Sequence, residues 1–362
     1  MAGDHLAAHL LPHGFGVDDH AVQVEHDCLD HWSMLERGRR RAPAAARLAL
    51  ATMRAALSVM AMSWTMTRMK ALRFGLVGTG HWARVTHAAA LSSTDGVELA
   101  AVWGRSPAAA AELAILHNAQ PCDDLDTFLA SVDAVAFAVP PDVQAPIAIR
   151  AARQGKHLLL EKPLALAEAD ADALAEAVRA AGVASVVFFT ARFQPEVRDW
   201  LAGVADGTGW MGANALWLGT ALTGESPFNT PWRRQKGALW DNAPHVLALL
   251  LPALGPVTSV LADAGPADVT HLVLHHEGGA TSMVTTTLSA PPAAATAEVT
   301  LWGGPGRSAA PLRTVQSLPA LRLALAELAA NVASGQVSHP CDVRLGQAVG
   351  RVLAQAQRQL PG

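Results

Sequence analysis

The chain contains no tyrosine among its 362 residues. This excludes acid/base chemistry built on a phenol, including the tyrosine–lysine pair of short-chain dehydrogenases. Cysteine is nearly absent: Cys28, Cys122 and Cys341 show neither zinc-ligand spacing nor the density of a disulfide framework, and such sparse use fits a reducing compartment. There is no excess of basic residues. With a formal net charge of −4 the chain lacks the positive footprint that nucleic-acid binding requires. Nor does any uncharged apolar run reach the ~18 residues of a membrane-spanning helix. The expectation from these absences is a cytoplasmic protein with a small-molecule substrate, no nucleic-acid or membrane partner and no bound metal.

The first seventy residues differ in character from the rest. Residues 1–31 are crowded with His and Asp and show no sustained hydrophobic period, and no acidic residue occurs between Glu36 and Asp95. His5, His9 and His13 share a helical face but lack the accompanying carboxylates of a metal site. Arg39, Arg40 and Arg41 precede an Ala/Leu-rich stretch, as in a twin-arginine export signal, yet Arg47 and Arg54 interrupt it. Met66 and Met69 stand just ahead of the first strand pattern, so residues 1–68 read as a non-native or disordered extension.

From residue 70 the chain becomes regular. Leu72-Arg73-Phe74-Gly75-Leu76-Val77 is an apolar strand running into Gly78-Thr79-Gly80-His81-Trp82-Ala83. Gly78, Gly80 and Ala83 fit the dinucleotide fingerprint: a glycine for the tight turn, a second for backbone approach to a pyrophosphate, and a small residue for close helix–strand packing. The pyrophosphate would sit at the helix N-terminus, where free N–H groups favour negative charge. Strand patterns at 72–77, 97–103, 133–139, 157–160 and 185–189 alternate with helical patterns at 82–91, 107–117, 143–154 and 167–181. That alternation indicates βαβ units and a parallel sheet. After residue 190 strand patterns follow one another, at 212–221, 257–262, 268–276, 281–289 and 297–303, before helical patterns at 317–333 and 343–358. The expected architecture is α/β: a Rossmann dinucleotide-binding domain over 69–190 and an α+β substrate or oligomerisation domain over 191–362.

One strand, Leu158-Leu159-Leu160, ends in Glu161-Lys162-Pro163, and further on comes Ala238-Leu239-Trp240-Asp241-Asn242-Ala243-Pro244-His245. Gly104-Arg105-Ser106-Pro107, Val139-Pro140-Pro141, Arg192-Phe193-Gln194-Pro195 and His339-Pro340-Cys341-Asp342 stand between and after these motifs. In order and spacing this set resembles the glucose–fructose oxidoreductase/inositol dehydrogenase/MocA (Gfo/Idh/MocA) family, over about residues 70–362. The resemblance implies a Rossmann domain joined to a domain with an open, mostly antiparallel sheet, and a nicotinamide in the cleft between them. It also implies a cis Lys162–Pro163 bond and a catalytic set of Lys162, Asp241 and His245. Ala243 departs from the family's glycine. Family members often dimerise through the open sheet. The catalytic part is short for the family, so a homo-oligomer is compatible and the state stays open.

The residue chemistry agrees with that implication. A lysine at the carboxyl end of a parallel strand stands where open α/β sheets bind ligands, and a partly desolvated ammonium there can exchange a proton. Asp241 and His245 are four residues apart, a spacing that on one helix would put a carboxylate beside an imidazole. Either Lys162 or His245 carries the proton in this reading. The expected cofactor ligands are Gly78, Thr79, Gly80, His81, Trp82, Arg105, Ser106, Val139, Pro140, Gln144, Glu161 and Lys162. No acid stands at the end of the second strand to bind ribose hydroxyls, whereas Arg105 and Ser106 suit a 2′-phosphate. NADP is therefore expected, with NAD possible. Gln144 replaces a histidine common in the family and is expected to contact phosphate or ribose. Arg192, Trp232 and Arg233 are the expected substrate contacts. The activity expected is hydride transfer between the nicotinamide and a carbinol or carbonyl carbon of a sugar, cyclitol or related polyol. The alternatives are a non-catalytic dinucleotide-sensing regulator, and an enzyme of a non-sugar such as a dihydrodiol or an imine.

Overall fold

The central strands of the first sheet are short, mostly apolar and largely buried on both faces, because helices cover the sheet from either side. Ala134–Phe137 shows this most simply, with all four residues buried. A computed structural model describes residues 71–205, 207–312 and 316–360. The expectations for residues 1–70, including the leader, the histidine cluster and Cys28, lie outside the described residues.

The first sheet comprises β1 (Leu72–Val77), β2 (Val97–Trp103), β3 (Gln120–Cys122), β4 (Ala134–Phe137), β5 (His157–Leu160) and β6 (Ser185–Val187). All pairings are parallel, in the order β3-β2-β1-β4-β5-β6, the doubly wound Rossmann arrangement. The strand order reverses between β1 and β4, so the carboxyl ends of these two strands flank the crevice in which such sheets bind ligands. The connecting helices are α1 over 83–91, α2 (Pro107–Leu116), α3 (Leu125–Ala130), α4 (Pro141–Arg153) and α5 (Glu168–Ala181). The opening turns of α1, Ala83–Ala88, are π-helical. Close packing dictates one glycine here: a Cβ on Gly75 would lie 2.3 Å from the buried Phe128 ring. The β3 strand and α3 have no counterpart in the sequence reading, since three and six residues are too few to show a period.

A short helix, α6 (Pro195–Ala205), leads to a second six-stranded sheet. Its strands are β7 (Trp210–Leu218), β8 (Val257–Ala264), β9 (Thr270–His276), β10 (Thr281–Thr287), β11 (Thr296–Gly303) and β12 (Gly306–Ala309). The order is β12-β11-β7-β10-β9-β8; β7 and β10 run parallel and every other pair is antiparallel. Between β7 and β8 lie α7 (Pro231–Asp241) and α8 (Ala243–Leu254), the latter packed on the inner face of the sheet. The last helices, α9 (Ser317–Ser334) and α10 (Val343–Gln357), return to the first half of the chain. There α9 packs on α1 and α10 on α5. Ahead of α10, Val187 donates its N–H to Cys341 O at 2.6 Å, tying this segment to edge strand β6. The two sheets are thereby held around one continuous apolar core. Among the described residues no helix is long and apolar enough to cross a membrane.

Candidate active site

The chain turns sharply at the end of β1. Gly78 has φ 127°, a region that L side chains rarely adopt, and a Cβ there would lie 2.4 Å from Ala138 O. The N–H groups of Thr79 and Gly80 make no hydrogen bond to another described residue, and a Cβ on Gly80 would meet nothing within 4 Å. The loop thus offers bare backbone donors to an open space of about 290 Å³ lined by Thr79, Gly80, Arg105, Ser106, Val139 and Pro140. That space shares Gly80, Arg105, Val139 and Pro140 with a larger cleft of about 720 Å³, whose far wall carries Lys162, Arg233, Asp241 and His245. A glycine cradle with free N–H groups at a helix start fits a dinucleotide pyrophosphate.

Arg105 is exposed and makes no hydrogen bond to another described residue, so its guanidinium is available at this cavity. Ser106 lines the same cavity and also has a structural use. Its hydroxyl accepts from Ala109 N at 3.3 Å and caps α2, the ordinary use of a serine ahead of a helix.

The Glu161-Lys162-Pro163 turn leaves β5 through a cis Lys162–Pro163 bond. Gln144 was expected at the cofactor but is fully buried behind this turn. Its Oε1 accepts from Glu161 N at 2.8 Å, and its Nε2 donates to Glu161 O at 2.9 Å, with longer contacts to Pro163 O and Leu164 O. The irregular turn leaves backbone groups unpaired, and a buried amide satisfies donor and acceptor together. Glu161 is also engaged inside the protein, although it reaches the cleft wall. Its Oε1 accepts from Trp82 Nε1 at 2.6 Å and from His87 Nε2 at 2.9 Å, which ties α1 to the lysine turn. The indole N–H of Trp82 is therefore committed to Glu161 and not to a ligand.

Lys162 Nζ points across the cleft and donates to both Asp241 Oδ1 and Asp241 O, each at 2.7 Å. The other carboxylate oxygen, Oδ2, accepts from Arg233 Nε at 2.7 Å. Asp241 is thus a buried anion held between two cations. Burial alone would raise its carboxyl, but Lys162 and Arg233 outweigh that and hold it well below the usual carboxylate range.

The expected hydrogen-bonded pair of Asp241 and His245 does not form. Asp241 ends α7, and His245 lies in the first turn of α8 after Pro244. Between them Asn242 is anchored by its Nδ2, which donates to Thr287 O at 2.9 Å and to Trp217 O at 3.3 Å. Asp241 spends its oxygens on the cations, the stronger partners. His245 instead stacks on Trp217, with ring centroids 5.2 Å apart and planes 10° from parallel. Its Nδ1 is buried without a partner among the described residues. Burial, reinforced by Lys162 and Arg233 and only partly opposed by Asp241, pushes the imidazole well below its ordinary value and keeps it neutral near pH 7.

Gly237 sets the path of this segment. With φ 64° it breaks the helical course of α7 and delivers Asp241 to the cleft. Arg233 is stacked by two rings, its guanidinium carbon 4.7 Å from the Trp232 centroid and 5.6 Å from that of Phe228. Phe228 also meets His81 and Trp82 edge-on, at 5.5 and 5.8 Å. Phe228 and Trp217 escaped the sequence reading, because their partners are distant in the chain and an isolated aromatic reads as core. Arg192 is another correction. It is buried, donates to Ala248 O at 2.8 Å, and does not line the cleft.

Residues 72–189 match the model of a family described as oxidoreductases with an NAD-binding Rossmann fold. Over these residues the chain belongs to the Gfo/Idh/MocA family. It is 35% identical over 127 residues to 4-carboxy-2-hydroxymuconate-6-semialdehyde dehydrogenase from Sphingobium sp., a match covering 34% of this chain and 40% of that protein. It is 34% identical over 140 residues to inositol 2-dehydrogenase from Rhizobium meliloti, covering 38% and 41% respectively. The matched region thus spans about two fifths of the length of these Gfo/Idh/MocA relatives. Among solved structures the WlbA dehydrogenase from Bordetella pertussis, in complex with NADH and UDP-GlcNAcA, superposes with a TM-score of 0.70 at 23% identity. The match covers 80% of this chain and 96% of that one. This last likeness is one of fold, and it extends through both sheets of the Gfo/Idh/MocA architecture.

Proposed function

We propose that this chain is an NAD(P)-dependent oxidoreductase acting at a carbinol or carbonyl carbon of a sugar, cyclitol or related polyol. The observation that carries the reading is the Lys162–Asp241 pair at 2.7 Å, beside His245, in the same cleft as the open glycine cradle. Relatives named as inositol 2-dehydrogenase and as a semialdehyde dehydrogenase support it. A nicotinamide bound in the cleft supplies the hydride acceptor or donor.

The residues divide the remaining work. Asp241 fixes the Lys162 side chain through two hydrogen bonds, so Nζ is presented to a substrate oxygen with little freedom left to lose. An unpartnered buried lone pair costs less than an unpartnered buried N–H, so neutral His245 carries its proton on Nε2. Protonating Nδ1 as well would place a charge beside two cations. His245 therefore orients the substrate oxygen as a neutral hydrogen-bond donor, and Lys162 exchanges the hydroxyl proton. The cofactor preferred is NADP. An exposed Arg105 beside the pyrophosphate cavity and the absence of an acid at the end of β2 support a 2′-phosphate contact.

The test is the nicotinamide absorbance of the purified protein with NAD and with NADP, against polyols, cyclitols, aldoses and their oxidised counterparts. Turnover with one compound class, faster with NADP, is the expected result. Tight NADP binding without turnover of any compound would refute the enzyme reading in favour of a dinucleotide sensor.

A further inference from the structure

The charged residues lining the cleft balance in number, Arg105, Lys162 and Arg233 against Asp142, Glu161 and Asp241, but they are unevenly engaged. Lys162 and Arg233 face one carboxylate, Asp241, which is already shared between them. Glu161, another acid of the cleft, is turned into Trp82 and His87. Asp142, exposed in the first turn of α4, lines the same cleft and makes no ion pair with a described residue. Arg233 therefore meets a single carboxylate, Asp241, which it shares with Lys162.

Arg233 nevertheless keeps part of its guanidinium free. Its Nε is fixed on Asp241, and Trp232 and Phe228 lie against the guanidinium faces. Only the outer edge is left, and there Nη1 makes just two long contacts, 3.4 Å to Thr230 Oγ1 and 3.5 Å to Phe228 O. Nη2 makes none to any described residue, and it is not sealed from solvent as the unpartnered Nδ1 of His245 is. A rigid guanidinium edge lining a cleft is the geometry that takes a carboxylate through two parallel N–H···O bonds. Thr190 and Ser317 line the same cleft with hydroxyls that make no hydrogen bond to described side chains, and these suit the uncharged hydroxyls of a ligand.

We infer that the substrate is an acid: a hydroxylated compound bearing a carboxylate, which docks on the outer edge of Arg233 while its reacting hydroxyl lies at Lys162 and His245. The inference rests on the oxidoreductase reading for the reacting end only. Carboxylate binding is measurable without turnover.

The test is calorimetric titration of the full chain, saturated with NADP, using D-glucuronate and D-galacturonate against D-glucose and D-galactose. Hydrogen bonds to a charged group set the expected preference for each uronate over its hexose at about ten- to a hundred-fold. Arg233→Gln should erase that preference, read as the ratio of uronate to hexose affinity, whatever affinity change the two ligands share. Should Arg233→Gln not fold, the wild-type preference measured from low to high salt replaces it, and the preference should shrink as salt screens the charge. Equal affinities within each pair, no binding of either uronate, or a preference that survives in the variant would each overturn the inference. Failure of the oxidoreductase reading appears separately, as no change in nicotinamide absorbance with any compound, whatever the titrations show.

Discussion

Removing the Asp241 carboxylate tests the arrangement at its centre. In Asp241→Ala the cations Lys162 and Arg233, only 11% and 18% exposed, lose the anion between them. Breaking a buried ion pair from one side costs about 3–5 kcal/mol, because the remaining charge stays desolvated. At about 2–4 °C per kcal/mol for a protein of this size, the melting temperature should fall by about 6–20 °C. Part of the cost is specific to the stranded charges. Replacing all three residues together, as Asp241→Ala, Lys162→Met and Arg233→Met, should recover most of the stability, since apolar replacements remove the desolvation penalty. Turnover should not recover, because the group that meets the substrate has gone. Thermal unfolding followed by circular dichroism, with the single, double and triple variants forming a cycle, measures both parts. A melting temperature for Asp241→Ala within about 1 °C of wild type would refute the reasoning, since it would mean the three groups are solvated and worth no more than a surface pair.

Three further outcomes follow from the same geometry. Arg105→Ala should weaken NADP binding by about ten- to a hundred-fold and leave NAD nearly unchanged in fluorescence titrations, and equal losses for both would assign Arg105 to the fold. Gln144→Leu should reduce kcat with little change in NADP affinity, because the amide holds the Lys162 turn and not the dinucleotide; a loss confined to NADP binding would contradict this. His245 has a folded-state value pushed well below ordinary, so its contribution to stability is full above the unfolded value of about 6.5 and is lost as pH falls below it. Half-buried His157 and buried His276 act in the same direction, so in chemical denaturation His245→Gln should reduce the acid-side slope without abolishing it, and an unchanged slope would place His245 in solvent.

The Rossmann half was largely legible because its signals are local. The apolar strand before Gly78, the runs at 97–103 and 157–160 and the helix periods each fall within a short window, and β1, β2 and β5 lie at the expected residues. The second sheet was legible as strands but not in its pairing, since the parallel match of β7 to β10 joins segments far apart in sequence. Lys162, Asp241 and His245 were identified by motif, and they do line one cleft. Their connections were not legible. Spacing of four suggested that Asp241 serves His245, but the break at Gly237 and the anchored Asn242 put the two residues on different helices. The same limit explains Gln144, Glu161 and Arg192. Motif position placed them near the ligand, whereas their polar atoms are spent on partners that only the tertiary fold supplies: the lysine turn, α1 and the Ala248 carbonyl.

The central claim is that Lys162, held by Asp241, handles the proton of a nicotinamide-linked oxidation or reduction. It is tested most directly by the rate of nicotinamide absorbance change on a turned-over compound, compared across wild type, Lys162→Ala and His245→Gln, with NADP affinity measured in parallel. The account predicts a loss of about 10²–10⁴-fold for Lys162→Ala at near-normal NADP affinity, and a smaller loss for His245→Gln, whose amide still donates a hydrogen bond. Wild-type turnover in Lys162→Ala, or a greater loss in His245→Gln than in Lys162→Ala, would contradict it.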